Sequence, residues 1–151
     1  MSGSPEDFGK KQVRMACVAC GAGTHKDVNG TAPCRLCPGG KYSATTAAMS
    51  EATCSDCPMD SYSHVGSTSV ADCACNLGYT GPHGGACEAC VAGTYKEVNG
   101  TGECTRCARG KYSTGTGETS EAACSECPAH AVSGAGSSNL SHCTCDAGYT
   151  G

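Results

Sequence analysis

Sixteen cysteines dominate the chemistry open to this 151-residue chain. They fall as the pairs Cys17/Cys20, Cys34/Cys37 and Cys54/Cys57, closed by the tighter Cys73-Ala-Cys75, and the same set returns as Cys87/Cys90, Cys104/Cys107, Cys124/Cys127 and Cys143-Thr-Cys145. Two chemistries compete for such spacing. As thiolates, Cys17-x-x-Cys20 and Cys34-x-x-Cys37 have the separation of a four-cysteine zinc site. As oxidised sulfurs, the same residues would staple a chain of turns. The Cys-x-Cys pairs, the acidic charge and the glycosylation triplets described below favour disulfides, and no metal or cofactor is expected. A free-thiol count on unreduced protein separates the two.

Spacing limits the pairings without fixing them, since eight cysteines allow 105 connectivities. If each pair bonds the nearest following segment, the bridges are Cys20–Cys34, Cys37–Cys54, Cys57–Cys73, Cys75–Cys87, Cys90–Cys104, Cys107–Cys124 and Cys127–Cys143. Cys17 and Cys145 then remain for bonds between units or between molecules. A rival scheme, Cys17–Cys34 with Cys20–Cys37 and Cys54–Cys73 with Cys57–Cys75, closes each unit on itself.

Three further residues carry modification chemistry. Asn29-Gly-Thr, Asn99-Gly-Thr and Asn139-Leu-Ser are acceptor triplets for N-linked sugar, the first two at equivalent places in the repeat. The clusters beginning at Ser43, Ser67, Ser113 and Ser137 are candidates for O-linked sugar, and equally good as plain loop residues. Five histidines, His25, His64, His83, His130 and His142, belong to no nucleophile elbow, His-Glu-x-x-His or phosphate loop, so no enzyme is predicted.

The elements that must hold these residues follow from composition. Leu, Val and Phe total 12, and Ile and Trp are absent, so an ordinary apolar core cannot be assembled. With 22 glycines the chain is mostly turns, and cross-links in an oxidising compartment are the expected substitute for a core. A net charge of −4 with no basic stripe disfavours nucleic acid as a partner. No stretch is long and apolar enough to span a bilayer. Residues 1–16 read as a leader or linker without the apolar segment of a secretory signal. That sits awkwardly with an oxidised protein unless the chain is a fragment, a processed product or one carrying an added leader, and a fragment is expected.

From Cys17 onward the repeat governs. Each cysteine recurs 70 residues later, and 17–81 laid on 87–151 gives 34 identities in 65 positions. The division is 17–86 for the first unit and 87–151 for the second, truncated before its last loop. The joint is the stretch Cys73 to Cys90, whose first half returns at Cys143 to Gly151. Within each unit Gly40-Lys-Tyr-Ser, Asp60-Ser-Tyr-Ser and Gly93-Thr-Tyr-Lys read as short strands with an aromatic ring over neighbouring sulfurs. Asn29-Gly30 and Asn99-Gly100 read as hairpin tips with φ > 0. Ala47 to Ala52 is the nearest approach to a helical run and is expected to be an irregular loop.

The run Cys-x-x-Cys-x-x-Gly-x-Tyr, then Cys-x-x-Cys-x-x-Gly-Lys-Tyr-Ser, ending in Cys-x-Cys-x-x-Gly-Tyr-Thr-Gly, resembles the ephrin-receptor-like or growth-factor-receptor-like cysteine-rich repeat. Its closing part is similar to the end of an EGF-like domain. The resemblance implies a non-catalytic, extracellular, disulfide-linked rod of the kind found in large surface or flagellar-hair proteins of protists and algae. No Asp-x-Asp/Asn-Glu set precedes either unit, so the calcium site of some EGF domains is not expected. The fold class is therefore small and disulfide-rich: tandem EGF-like or TNF-receptor-like cysteine-rich modules of short β-hairpins, elongated, with little helix. The functional expectation is a glycosylated structural spacer or filament segment whose partners are neighbouring copies of the repeat. A ligand-binding or adhesion ectodomain is the alternative, and a zinc-binding repeat protein the second alternative.

Overall fold

The computed structural model describes residues 16–151, so the leader expected at 1–16 lies outside it except for Ala16. Among these residues seven antiparallel hairpins follow one another, each strand two residues long. They are β1 Thr24–His25 with β2 Arg35–Leu36, β3 Lys41–Tyr42 with β4 Ser55–Asp56, and β5 Ser61–Tyr62 with β6 Ala74–Cys75. Next comes β7 Tyr79–Thr80 with β8 Glu88–Ala89, which opens the second half of the chain. The series closes with β9 Thr94–Tyr95 and β10 Thr105–Arg106, β11 Lys111–Tyr112 and β12 Ser125–Glu126, and β13 Ala131–Val132 and β14 Thr144–Cys145. The described residues contain no α-helix, only four three-residue 3-10 turns, at Glu51–Thr53, Val70–Asp72, Glu121–Ala123 and Leu140–His142. The first of these ends the run from Ala47, which is otherwise irregular.

Each hairpin starts the same way. A four-residue turn places a left-handed residue immediately before the first strand: Gly at 23, 40, 78, 93 and 110, and Asp60 and His130 at the remaining two. The N–H after it closes the turn, as Thr94 does onto the Val91 carbonyl at 3.1 Å. Positive φ at the third position is the mark of a type II turn, which explains the recurrent glycine. The expected strands at Gly40, Asp60 and Gly93 are present. The Asn-Gly segments lie in the connecting loops of the β1–β2 and β9–β10 hairpins as expected, with Gly30 and Gly100 at φ of 123° and 121°, but the loops are wide and Asn29 and Asn99 do not enter positive φ.

Sulfur occupies the place of a core. The buried apolar side chains are Ala48 and eight cysteines, among them Cys37 and Cys107 with no exposure at all. Seven bridges join Cys20–Cys34, Cys37–Cys54, Cys57–Cys73, Cys75–Cys87, Cys90–Cys104, Cys107–Cys124 and Cys127–Cys143, each Cα pair 5.6–5.8 Å apart. Each loop closed spans 12 to 17 residues, for which the loss of unfolded-chain entropy is worth about 3 kcal/mol. These are the bonds of the ladder that runs to the following segment; the scheme closing each unit on itself is absent.

Successive hairpins are locked by backbone. Single parallel bridges join His25 to Ala48, Tyr42 to Ser67, Tyr95 to Glu118 and Tyr112 to Ser137. The residue after the strand works in both directions: Ser113 accepts from Gly93 N–H at 2.8 Å and donates its own N–H to the Ser137 carbonyl at 3.0 Å. Even the widest of these bonds, such as Gly136 N–H to the Cys107 carbonyl, reaches from one bridged segment only into the next. The result is an elongated stack built by neighbours along a line, not layers around a centre.

Candidate functional site

The joint between the halves is where the chain builds its most elaborate contact. Cys75 is bridged to Cys87, and β7 pairs with β8 through Tyr79–Ala89 and Thr80–Glu88. Gly78 stands at the centre: its N–H donates to the Lys96 carbonyl at 3.0 Å and its carbonyl accepts from Cys90 N–H at 2.8 Å. Gly100 N–H donates to the Cys75 carbonyl at 2.8 Å, and the Thr80 hydroxyl to the Gly102 carbonyl at 3.1 Å. A division at residues 86/87 thus falls inside a bridged, hydrogen-bonded hairpin.

Lys96 completes the joint. Its side chain is 2% exposed, and its ammonium donates to the Tyr79 carbonyl at 2.6 Å and to the Gly100 carbonyl. Burial holds its pKa below the usual lysine range, while the two carbonyls keep the charged form satisfied. One side chain therefore ties the Asn-Gly loop of one segment to the hairpin before it. A lysine in a polar loop reads as solvated, so its role was not apparent in sequence; the signal was the recurrence of Lys26-Asp-Val-Asn-Gly-Thr as Lys96-Glu-Val-Asn-Gly-Thr. Lys26 donates to the Gly30 carbonyl in the same way but is only partly buried.

The other candidate residues are spread along the stack. Cys17 and Cys145 are free and exposed. Asn29, Asn99 and Asn139 are exposed; Asn139 also caps a 3-10 turn, its side-chain oxygen accepting from Ser141 N–H at 3.0 Å. Ser43, Ser67, Ser113 and Ser137 are buried at 2–9% exposure, which removes the first hydroxyl of each Ser/Thr cluster from the O-linked candidates. His25 is buried, its Nδ1 3.9 Å from the Cys54 sulfur, so an imidazole takes the place expected for an aromatic over the bridge. Tyr62 instead lies against Gly39 and Gly40.

His25, Cys37 and Cys54 lie within ligating distance of one another, but the two sulfurs are bonded together and offer no thiolate. The four cysteines of the zinc reading are likewise divided, with Cys20, Cys34 and Cys37 each in a bridge. An open groove of about 420 Å³ is lined by His64, Val65, Thr68, Asp72 and His83. Asp72 accepts from Thr68 and Ser69 N–H at 2.8 and 3.0 Å, and these backbone bonds hold its pKa below the usual carboxylate range, helped by the nearby His83.

A ladder of bridges through stacked hairpins, with no helix among the described residues long and apolar enough to cross a membrane, defines a cysteine-rich repeat module. The chain matches the family described as tyrosine-protein kinase ephrin type A/B receptor-like over residues 9–54 and again over 78–124, more than half its length, and it belongs to that family. No curated protein matches it. Two receptor-like repeats and seven disulfides fit a non-catalytic module of the oxidising, extracellular environment.

Proposed function

We propose that the chain is a structural spacer or fibre segment of a cell-surface or appendage protein, setting length and stiffness by stacking bridged hairpins and carrying sugar on its exposed asparagines. The observation that supports this reading is the neighbour-only pattern of bridges and backbone bonds, which turns each added unit into added length. The repeated units are also alike where they contact each other, as an array requires, with the Gly-Tyr-Thr-Gly and Lys-x-Val-Asn-Gly-Thr segments recurring unchanged in type.

Small-angle scattering on the oxidised chain is expected to give a rod-like profile, lost when a reductant opens the bridges. A compact particle, or a profile indifferent to reductant, would overturn the reading. Enzymatic removal of N-linked sugar from native material should lower its mass; unchanged mass removes the glycan part alone.

The adhesion alternative has one observation in its favour. Gly134, Ala135 and His142 stand in the second repeat where the groove of the first has His64, Val65 and Asp72, so the side chains lining the groove are not repeated. Its exposed, mixed lining supports weak contact and not a deep ligand site.

A further inference from the structure

The internal joint is a template for a second contact that the same chain carries in two separated halves. Displacing the joint by one repeat places Cys145, Gly148, Tyr149 and Thr150 where Cys75, Gly78, Tyr79 and Thr80 stand. On the other side it places Cys17, Cys20, Lys26 and Gly30 where Cys87, Cys90, Lys96 and Gly100 stand. Both halves already have the shape of the finished joint. Asp146 N–H donates to the His130 carbonyl at 2.8 Å and Tyr149 N–H to the Asp146 carbonyl at 3.0 Å, repeating the Asn76 and Tyr79 bonds to Asp60 and Asn76. Gly148 is left-handed like Gly78, and the His130 ring stacks on Tyr149 at 4.0 Å.

The groups the joint would use are open. Among the described residues, Gly148 N–H, Cys20 N–H, Gly30 N–H and the Lys26 carbonyl have no backbone partner, whereas all four counterparts are paired in the internal joint. Lys26 holds the Gly30 carbonyl as Lys96 holds that of Gly100, but among the described residues it lacks a second acceptor of the kind Tyr79 supplies to Lys96. Beside it, Ala16, Cys17, Val18, Thr31 and Ala32 complete the lining of a cleft of about 260 Å³.

We propose that the face around Cys17, Lys26 and Gly30 docks the Cys145–Thr150 segment of a second copy of this chain, sealed by a Cys145–Cys17 disulfide, so that copies add head to tail. This deepens the array reading and rests on it. In the docked pair the Lys26 ammonium donates to the Tyr149 carbonyl of the other copy, Gly30 N–H to its Cys145 carbonyl, and the Gly148 N–H of that copy to the Lys26 carbonyl. Because both halves are preformed, little ordering cost opposes the contact. The seal needs an oxidant, for which a low-molecular-weight disulfide serves. The Cys145 thiolate attacks it and releases one small thiol, then the Cys17 thiolate attacks the mixed disulfide and releases the second. The two cysteine protons end on the two small thiols.

The test uses the full oxidised chain in a glutathione redox buffer, read by non-reducing electrophoresis and by mass spectrometry of cross-linked peptides. Wild type is expected to give a ladder of multimers joined by Cys145–Cys17. Cys17→Ser and Cys145→Ser should each remain monomeric alone, and their equimolar mixture should stop at a dimer. Lys26→Met should slow coupling about tenfold or more, the worth of a charged hydrogen bond, without changing the rate at which a small alkylating reagent labels Cys17. Monomeric wild type, single variants that dimerise as readily as the mixture, an intramolecular Cys17–Cys145 bond, or an unchanged rate for Lys26→Met would overturn the proposal. If wild type stays monomeric while scattering still reports a reductant-sensitive rod, the joint fails and the array reading stands; a compact oxidised monomer removes the array reading itself.

Discussion

At the scale of single residues, glycine is decided by what stands opposite as much as by φ. A Cβ on Gly93 would lie 2.3 Å from the Gly136 carbonyl oxygen, and one on Gly23 would lie 2.2 Å from that of Gly66, in both cases with φ already left-handed. Gly93→Ala is therefore expected to lower stability by about 2 kcal/mol or more, from strain plus forced separation of two backbones. Ala47 is the converse. It sits at φ 52° where the second repeat has Gly117 at 68°, so Ala47→Gly is expected to stabilise by up to about 1 kcal/mol. Thermal unfolding with the bridges intact measures both, and a Gly93→Ala melting point equal to wild type would remove the close-approach argument. The glycines were legible in the sequence as punctuation. Their partners across the stack were not, because two backbones touching about two segments apart leave no mark on local spacing.

Among the elements, the 3-10 turns show how equivalent positions diverge in mechanism. In the first repeat Ser69 and Asp72 form a reciprocal capping box around Val70–Asp72; in the second, Asn139 caps Leu140–His142 and His142 stands in place of Asp72. Asp72 has a folded pKa lowered by its backbone bonds, so its support for the turn is complete above the ordinary carboxylate range and is lost as pH falls through the lowered folded value. The Thr68 and Ser69 amide proton shifts are expected to titrate together with a midpoint below that of an unperturbed aspartate, while Ser138 and Asn139 show no such step. A midpoint at or above the ordinary value would contradict the capping box. Hairpins and bridges were readable in advance because Cys-x-x-Cys spacing and a Gly-x-Tyr entry each act within a few residues. The capping differences were not, nor was the closing of the Asn99-Gly100 loop, since Lys96, which closes it, takes its second acceptor from a hairpin earlier in the chain.

For the whole molecule, bonds that reach only the next segment and contacts that reach no further than the second make damage local. Replacing Cys107 and Cys124 by Ser removes one staple, worth about 3 kcal/mol to its segment, and leaves the remaining bridges and their loops in place. Amide exchange is expected to quicken from 107 to 124 and in the segments touching it, with rates near Cys37 and Cys57 unchanged. A chain-wide increase would mean a single cooperative core. The cysteine pairs and the repeat were the most legible part of the sequence, because a covalent cross-link asks only for a partner at a suitable distance. The groove between His64 and His83 was not legible, as exposed histidines in turns have no characteristic spacing.

The ladder also fixes what happens under tension. Because each bridge spans the base of its own loop, a pull applied between Cys17 and Cys145 runs through sulfur and the short Cys-x-x-Cys and Cys-x-Cys links, bypassing the loops. The loops then carry none of the force, and extension stops at the length of that covalent zigzag. Reduction frees their slack, so the same segment becomes a long, compliant tether wherever thiols are plentiful.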